Sequence, residues 1–478
     1  MQKAPHPIHH DHEPASNHAR EQAAQAEPKC LRTFTPTQAV LRSGSGSHLR
    51  TPDGRRLADF TSGVLVANLG HNPRQWTSRF LELMGWNDFL GANTVSDSGP
   101  NQGSKKETFF EATPWTAYNA LTPVEVDASK MLIQFCSSRP GGNRLQQVLW
   151  AASGSEAVVK AIWAAMARDK SRNLILASRH GFHGKKGLAG AVTGSEKDKE
   201  RDERVRFFSF PMEECRDISK RTDPFDASPY RKELEALWEN HGGKFTTLIT
   251  EPYLGGGGSF HPPPAYLQML QEFCREKEIV FILDEVQSNF GRTGDLFAYE
   301  TYGLEPDLVV LGKGLGNGMP VAAVLGRTDL LGNMDYGDGS DTWSANPLAS
   351  AAVLATLESF SKHNPIPRMK QASSIIESGL IALKNEIPFV AHVRGENGGM
   401  VWGVEMQDHG PLTAKEWANW FVLECYRGEG PEGIHLLGPL AQKVIRISPP
   451  LVITADEAKA CMALMLRVGR RLSDKMMI

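Results

Sequence analysis

Two short apolar runs, each stopped by charge, constrain this chain more than any other feature. From Phe281 to Leu325 it reads FILDEVQSNFGRTGDLFAYETYGLEPDLVVLGKGLGNGMPVAAVL. Phe281-Ile282-Leu283 runs into Asp284 and Glu285, and Leu308-Val309-Val310-Leu311 into Gly312, Lys313 and Gly314. Continuous apolar runs of this length are expected as central strands of a parallel sheet buried on both faces. Ligands bind such sheets in the crevice beyond the carboxyl ends of the strands. An acid at one strand end and a glycine-flanked lysine at another are therefore expected to face one crevice.

Lysine can supply a Schiff-base nitrogen, and a buried carboxylate can keep a pyridine nitrogen protonated. Chemistry that needs both groups is that of pyridoxal 5'-phosphate. The motifs around them are Asp284-Glu285-Val286-Gln287, Phe290-Gly291-Arg292-Thr293-Gly294 and Lys313-Gly314-Leu315-Gly316-Asn317-Gly318-Met319-Pro320. In this order they resemble the class III (omega) aminotransferases of the fold-type I pyridoxal-phosphate enzymes. The resemblance runs from about Phe34 to the C-terminus. It implies an α/β fold, with a large domain built on a mostly parallel sheet flanked by helices. A smaller α+β domain would be built from both chain ends.

The expected organisation is a disordered polar arm over 1–33, a small domain from 34–85 and 346–478, and a large cofactor domain over 86–345. The arm reading rests on a proline- and histidine-rich start with few large apolar residues. Its cluster His9, His10 and His12 is read as solvated rather than as a metal site, and no metal is expected. The length of 478 residues suits two interlocked domains. A net charge of -3 gives no reason to expect nucleic acid or an anionic membrane as partner. The six cysteines lack CxxC pairs, which fits reduced thiols and a cytoplasmic setting. No apolar run approaches a membrane span.

Five further segments carry candidate residues. Val148-Leu149-Trp150 reads as a strand, Ser153-Gly154-Ser155 as a turn, and Glu156 to Arg168 as an alanine-rich helix. A helix start has unpaired N–H groups and a dipole that favours an anion. By resemblance, Gly154 and Ser155 cradle the cofactor phosphate. In His180-Gly181-Phe182-His183-Gly184, Phe182 would stack on the pyridine ring with His183 beside it. His180-Gly181-Phe182-His183 alone also allows metal ligation, which ranks below stacking because no carboxylate or cysteine lies at ligand spacing. Glu251-Pro252 precedes four glycines, Gly255 to Gly258, which admit a substrate close to the backbone.

The resemblance also implies that Val286 packs under the ring and that Gln287 lies near its phenolic oxygen. Asp338 to Pro347 resembles the family loop whose threonine, here Thr342, reaches across a dimer interface to the partner's phosphate. Asp341 stands there where the family has serine. Arg446-Ile447-Ser448-Pro449-Pro450-Leu451 resembles the family's carboxylate-binding motif, since arginine offers a planar fork that grips a carboxylate twice. A homodimer with shared active sites is expected, with small-molecule amino donor and keto acid as partners.

The leading expectation is amino-group transfer from an amine or amino acid to pyruvate or 2-oxoglutarate. Lys313 and Asp284 would be catalytic, while Arg446, Val64 and Glu251 would bind substrate. An aminomutase or a decarboxylating dialkylglycine-type enzyme on the same scaffold is the alternative, and Arg446 favours transamination. A catalytically silent protein is disfavoured because Lys313 and Asp284 are both present. A dinucleotide site is disfavoured because Gly314-Leu315-Gly316-Asn317-Gly318 lacks the GxGxxG spacing. Gly256 stands where many omega-amine enzymes carry a glutamate that masks the arginine, and Val64 where ornithine-type enzymes carry a tyrosine. The donor is therefore expected to be a carboxylate-bearing amino acid or an apolar amine rather than ornithine.

Overall fold

The computed structural model describes residues 7–87 and 111–476. The first six residues of the expected arm, and residues 88–110 near the start of the expected large domain, lie outside the described residues. Among the described residues the largest sheet has seven strands. In spatial order they are Gln147–Ala151, Ala322–Gly326, Leu308–Leu311, Val280–Asp284, Phe245–Thr250, Leu174–Ser178 and Val205–Phe208. All neighbouring pairs are parallel except those of Ala322–Gly326, which runs antiparallel to both neighbours.

Alternation along these strands divides the interior into two cores. Leu248, Phe281, Leu283, Val309 and Leu311 fall in one apolar cluster, and Ile249, Val280, Ile282, Leu308 and Val310 in the other. Each strand therefore buries both faces, as continuous apolar runs require. The helix Gly154–Arg168 covers one face with Ala157, Ala161, Ala164 and Ala165, all fully buried. These small side chains bring its backbone close to the sheet.

Both chain ends contribute to smaller sheets. The turn at Pro52–Arg55 joins His48–Arg50 to Arg56–Asp59 as an antiparallel pair, as the Asp-Gly signal predicts. Arg56–Asp59 then pairs in parallel with Glu432–His435 from the far end of the chain. A three-stranded sheet of Val390–Gly395, Trp402–Met406 and Val444–Ile447 presents Arg446. Arg292, fully buried, ties the large sheet's loop to these regions through Asn68, the Met400 carbonyl and the Pro449 carbonyl.

The polar arm is corrected by the structure. Pro14–Ala26 is a helix, although it buries little apolar surface. Polar contacts replace the missing core. Asp53 accepts from the Ala15 and Ser16 N–H groups at 2.8 and 3.0 Å, capping the helix from the hairpin turn. Glu13 is buried and receives Arg20 at 2.7 Å, Arg55 at 3.0 Å and the Tyr426 hydroxyl at 3.0 Å. The His10 ring meets the Thr37 carbonyl at 2.7 Å. Arg20→Met would leave Glu13 buried with a reduced set of partners. We expect a loss of about 3 kcal/mol in denaturant unfolding, the lower end of the cost of breaking a buried pair because Arg55 still reaches the carboxylate.

Candidate active site

Asp284 and Lys313 stand at the carboxyl ends of adjacent parallel strands, with Asp284 opposite Val310 in the register. Asp284 is buried, and its two oxygens have separate tasks. One accepts from the Val286 N–H at 3.0 Å and the other faces His183 Nδ1 at 2.7 Å. A carboxylate at that distance requires the proton on Nδ1. The opposite nitrogen, His183 Nε2, is buried and has no partner among the described residues. Thr193 holds the loop from outside by accepting from the His183 N–H at 2.8 Å.

Lys313 opens a short 3-10 turn and sits in the left-handed region at φ 47°. A non-glycine residue there is strained, and such strain gathers at functional sites. Burial pushes its ammonium down to about 8, with Asp284 and Glu251 opposing the shift and Arg446 adding to it. The four groups therefore share one electrostatic neighbourhood. Asn289 locks the two strand ends together by donating from its amide to the Glu285 and Gly312 carbonyls. It lies between the acid motif and Phe290, and its only sequence signal is a polar amide before that buried ring. Glu285 is not part of the site. Its oxygens accept from the Ala298 and Tyr299 N–H groups, both at 2.8 Å, and cap the helix Ala298–Tyr302.

The floor of the crevice is shaped by missing side chains. A Cβ at Gly154 would lie 3.1 Å from a Val286 methyl, and one at Gly312 would lie 3.4 Å from the same group. Ser153 caps the helix Gly154–Arg168 in a reciprocal arrangement with Glu156, leaving Gly154 and Ser155 as its first residues. Ser155 is exposed, and a Cβ at Gly184 would reach its hydroxyl at 2.7 Å. Phe182 is 39% exposed and lies over Gly256, where a Cβ would be 2.9 Å from the Phe182 Cβ.

Glu251 fastens these parts together. Its carboxylate accepts from the Phe182 N–H at 2.8 Å, the Gly255 N–H at 3.2 Å and the Gln287 amide at 2.9 Å. Burial pushes it up to about 7, with Asp284 acting in the same direction. Arg446 is buried and donates to the Gly255 carbonyl at 2.9 Å, while its Nε has no partner among the described residues. Burial also lowers its pKa. Val64 is 39% exposed at φ 68°, and Leu65 is buried against Tyr253 and Val401. Thr342 lies apart from this cluster within its own chain, exposed on the loop before the helix Pro347–Lys362.

The class-III aminotransferase family model matches residues 113–468. The chain belongs to the class-III aminotransferases. An acetylornithine aminotransferase of Thermosynechococcus vestitus is 31% identical over 446 residues, covering 91% of this chain and 94% of that protein. The acetylornithine aminotransferase of Oceanobacillus iheyensis is 28% identical, over 92% of this chain and 96% of its own length. Among solved structures, a pyridoxal-phosphate-bound amine transaminase from an uncultivated Pseudomonas species superposes with a TM-score of 0.75 at 22% identity. That superposition covers 98% of this chain and 99% of that one.

As a class-III aminotransferase the chain is a pyridoxal-phosphate enzyme that transfers amino groups. The residues present fit the cofactor. Glycines at 154 and 312 leave room beside Val286, a buried carboxylate is oriented by His183, and a partly neutralised lysine amine stands at the next strand end. Among the described residues no helix is long and apolar enough to cross a membrane.

Proposed function

We propose that Lys313, Asp284, Arg446 and Glu251 form the reaction centre, and that the amino donor carries a carboxylate or is an apolar amine. The observation that carries this reading is the convergence of a strained lysine whose ammonium burial lowers to about 8, a buried carboxylate, and a buried arginine that has no carboxylate among its hydrogen-bond partners within the described residues. When bound, pyridoxal phosphate supplies an electron sink for the substrate carbon. Lys313 would hold the cofactor through its amine and would serve as the base that moves the proton at that carbon. Asp284, oriented by His183, would hold the ring nitrogen. Gly154 and Ser155 would hold the phosphate, and Phe182, Val286 and Gln287 would hold the ring.

Arg446 binds the keto acid's carboxylate, which supports transamination over an aminomutase or a decarboxylating reaction. Relatives named for acetylornithine and ornithine share the scaffold. This chain has Gly256 and Val64 where a masking glutamate and a tyrosine are expected of ornithine users. Arg446→Ala should raise the keto-acid KM by about 10- to 100-fold, the range for losing a charge-assisted pair of hydrogen bonds. An unchanged KM, or efficient ornithine turnover in a donor screen against pyruvate and 2-oxoglutarate, would overturn the substrate assignment.

The working unit is proposed to be a cytoplasmic homodimer in which Thr342 from a second copy completes each phosphate site. The exposure of Thr342 and Trp343 on their loop supports this. Six free cysteines, five of them buried, suit a reducing compartment. Mixing inactive Lys313→Ala subunits with an inactive Thr342→Ala variant should restore activity through hybrid dimers. A fully active monomer in sedimentation contradicts the shared site.

A further inference from the structure

The helix Gly154–Arg168 carries one anomaly. Its other buried residues are alanines, Val158 and Ile162, yet Lys160 lies 5% exposed among them. Lysine is almost never fully buried unless its charge is paired. Here the ammonium uses all three donors, on the Trp150 carbonyl at 2.7 Å, Asp341 at 2.7 Å and the Ser344 hydroxyl at 2.9 Å. Asp341 is the residue that departs from the family's serine. A serine in its place would bring no negative charge to the ammonium, so the departure and the buried lysine explain each other.

Asp341 also folds the loop that follows it. The oxygen turned away from Lys160 accepts from the Trp343 N–H at 2.9 Å and the Ser344 N–H at 2.7 Å. The oxygen facing Lys160 also accepts from the Ser344 hydroxyl, which contacts the Trp150 carbonyl as well. Burial alone would raise this carboxyl. The bonds from Lys160, Ser344 and the backbone instead bring it down to about 2, so it stays charged. Thr342 and Trp343 are left at the tip, Trp343 being 62% exposed. Lys160 itself lies six residues into the helix that starts at Gly154, on the order of 9 Å along its axis.

We propose that Lys160 and Asp341 are a positioning pair, anchoring the loop that presents Thr342 to the cofactor phosphate in the neighbouring subunit. The proposal rests on the reading of the chain as a dimer with shared phosphate sites. The pair fastens the loop to the strand Gln147–Ala151 and to the helix that opens the chain's own phosphate turn. The loop is thereby held before a partner site is filled, and less ordering entropy is lost when the phosphate binds.

The test compares affinities of the dimeric apoprotein for pyridoxal phosphate and for pyridoxal, which lacks the phosphate, by absorbance titration. Asp341→Asn should weaken pyridoxal phosphate about tenfold, within the range for coupled neighbours, and leave pyridoxal unchanged. Ser344→Ala removes the bridging hydroxyl without stranding a charge, and should weaken pyridoxal phosphate about threefold. It carries the test if Asp341→Asn does not fold. Lys160→Met combined with Asp341→Ser, which removes both charges, should recover most of the loss. Equal weakening of both ligands, or none, in a variant that remains dimeric overturns the positioning role and leaves the proposed function intact. A wild-type chain that binds pyridoxal phosphate no better than pyridoxal overturns the shared phosphate site itself.

Discussion

Replacing Lys313 with alanine is expected to abolish turnover, a loss on the order of 10⁴-fold or more. In the proposed site the substitution removes the covalent anchor and the proton-transferring group together, and general acid–base catalysis alone typically contributes 10²–10⁴-fold. The visible absorbance of lysine-bound cofactor should vanish, and borohydride should no longer fix cofactor to the protein. The fold should persist, because the strand, the 3-10 turn and the Asn289 locks are made by backbone atoms and other side chains. The same lysine makes a pH prediction for the wild type. Its amine attacks only when neutral, and burial lowers the ammonium to about 8. Cofactor capture by the apoprotein should rise with pH through about 8 and level off above it. Normal turnover in Lys313→Ala removes the assignment, and a capture rate still climbing towards pH 10 places the amine in water.

Asp284→Asn is expected to leave cofactor binding measurable and to slow proton transfer by roughly 10²–10⁴-fold. That range follows from the 3–5 kcal/mol cost of breaking a buried charged pair, at about 1.4 kcal/mol per factor of ten. Asparagine can still accept from the Val286 N–H, so the local backbone has little reason to move. Its amide cannot supply negative charge to a ring nitrogen. Where it presents its NH₂ to His183 Nδ1, it also forces the imidazole into the other tautomer. A substrate deuterated at the reacting carbon should show an enlarged isotope effect in this variant. Unchanged turnover would refute the role given to Asp284.

The two strand ends that carry these residues were legible because local pattern and chemistry coincide there. Apolar runs fixed buried strands, and a charge directly after each run had no structural purpose in a core. Glu285 shows the limit of that logic. It follows Asp284 without a break, yet it caps a helix, and only the path of the chain thirteen residues later distinguishes the two acids. The N-terminal helix escaped because its stabilisation is polar and remote. Tyr426, which meets Glu13, lies 413 positions away. Low apolar content signals disorder only when no distant partner satisfies the polar groups. The pairing of His183 with Asp284, 101 positions apart, and of Lys160 with Asp341, 181 apart, is invisible to spacing for the same reason. The loop's departure from the family pattern was visible in the sequence, whereas its compensation was not.

The contact between Gly256 and Phe182 restricts how this enzyme's substrate range can change. A side chain at position 256 would begin 2.9 Å from the Phe182 Cβ, closer than carbon atoms approach without something moving. Phe182 is itself held by its N–H bond to Glu251, which also grips Gln287 and Gly255. A side chain at 256, including a glutamate that would mask Arg446 in the proposed site, therefore requires Phe182 or the backbone around 256 to shift. Substitution at 256 is thus coupled to the placement of the 182 loop. Libraries that vary 182 and 256 together should recover active variants that scans at 256 alone miss. The freedom of two loops is thus tied through the packing of one glycine.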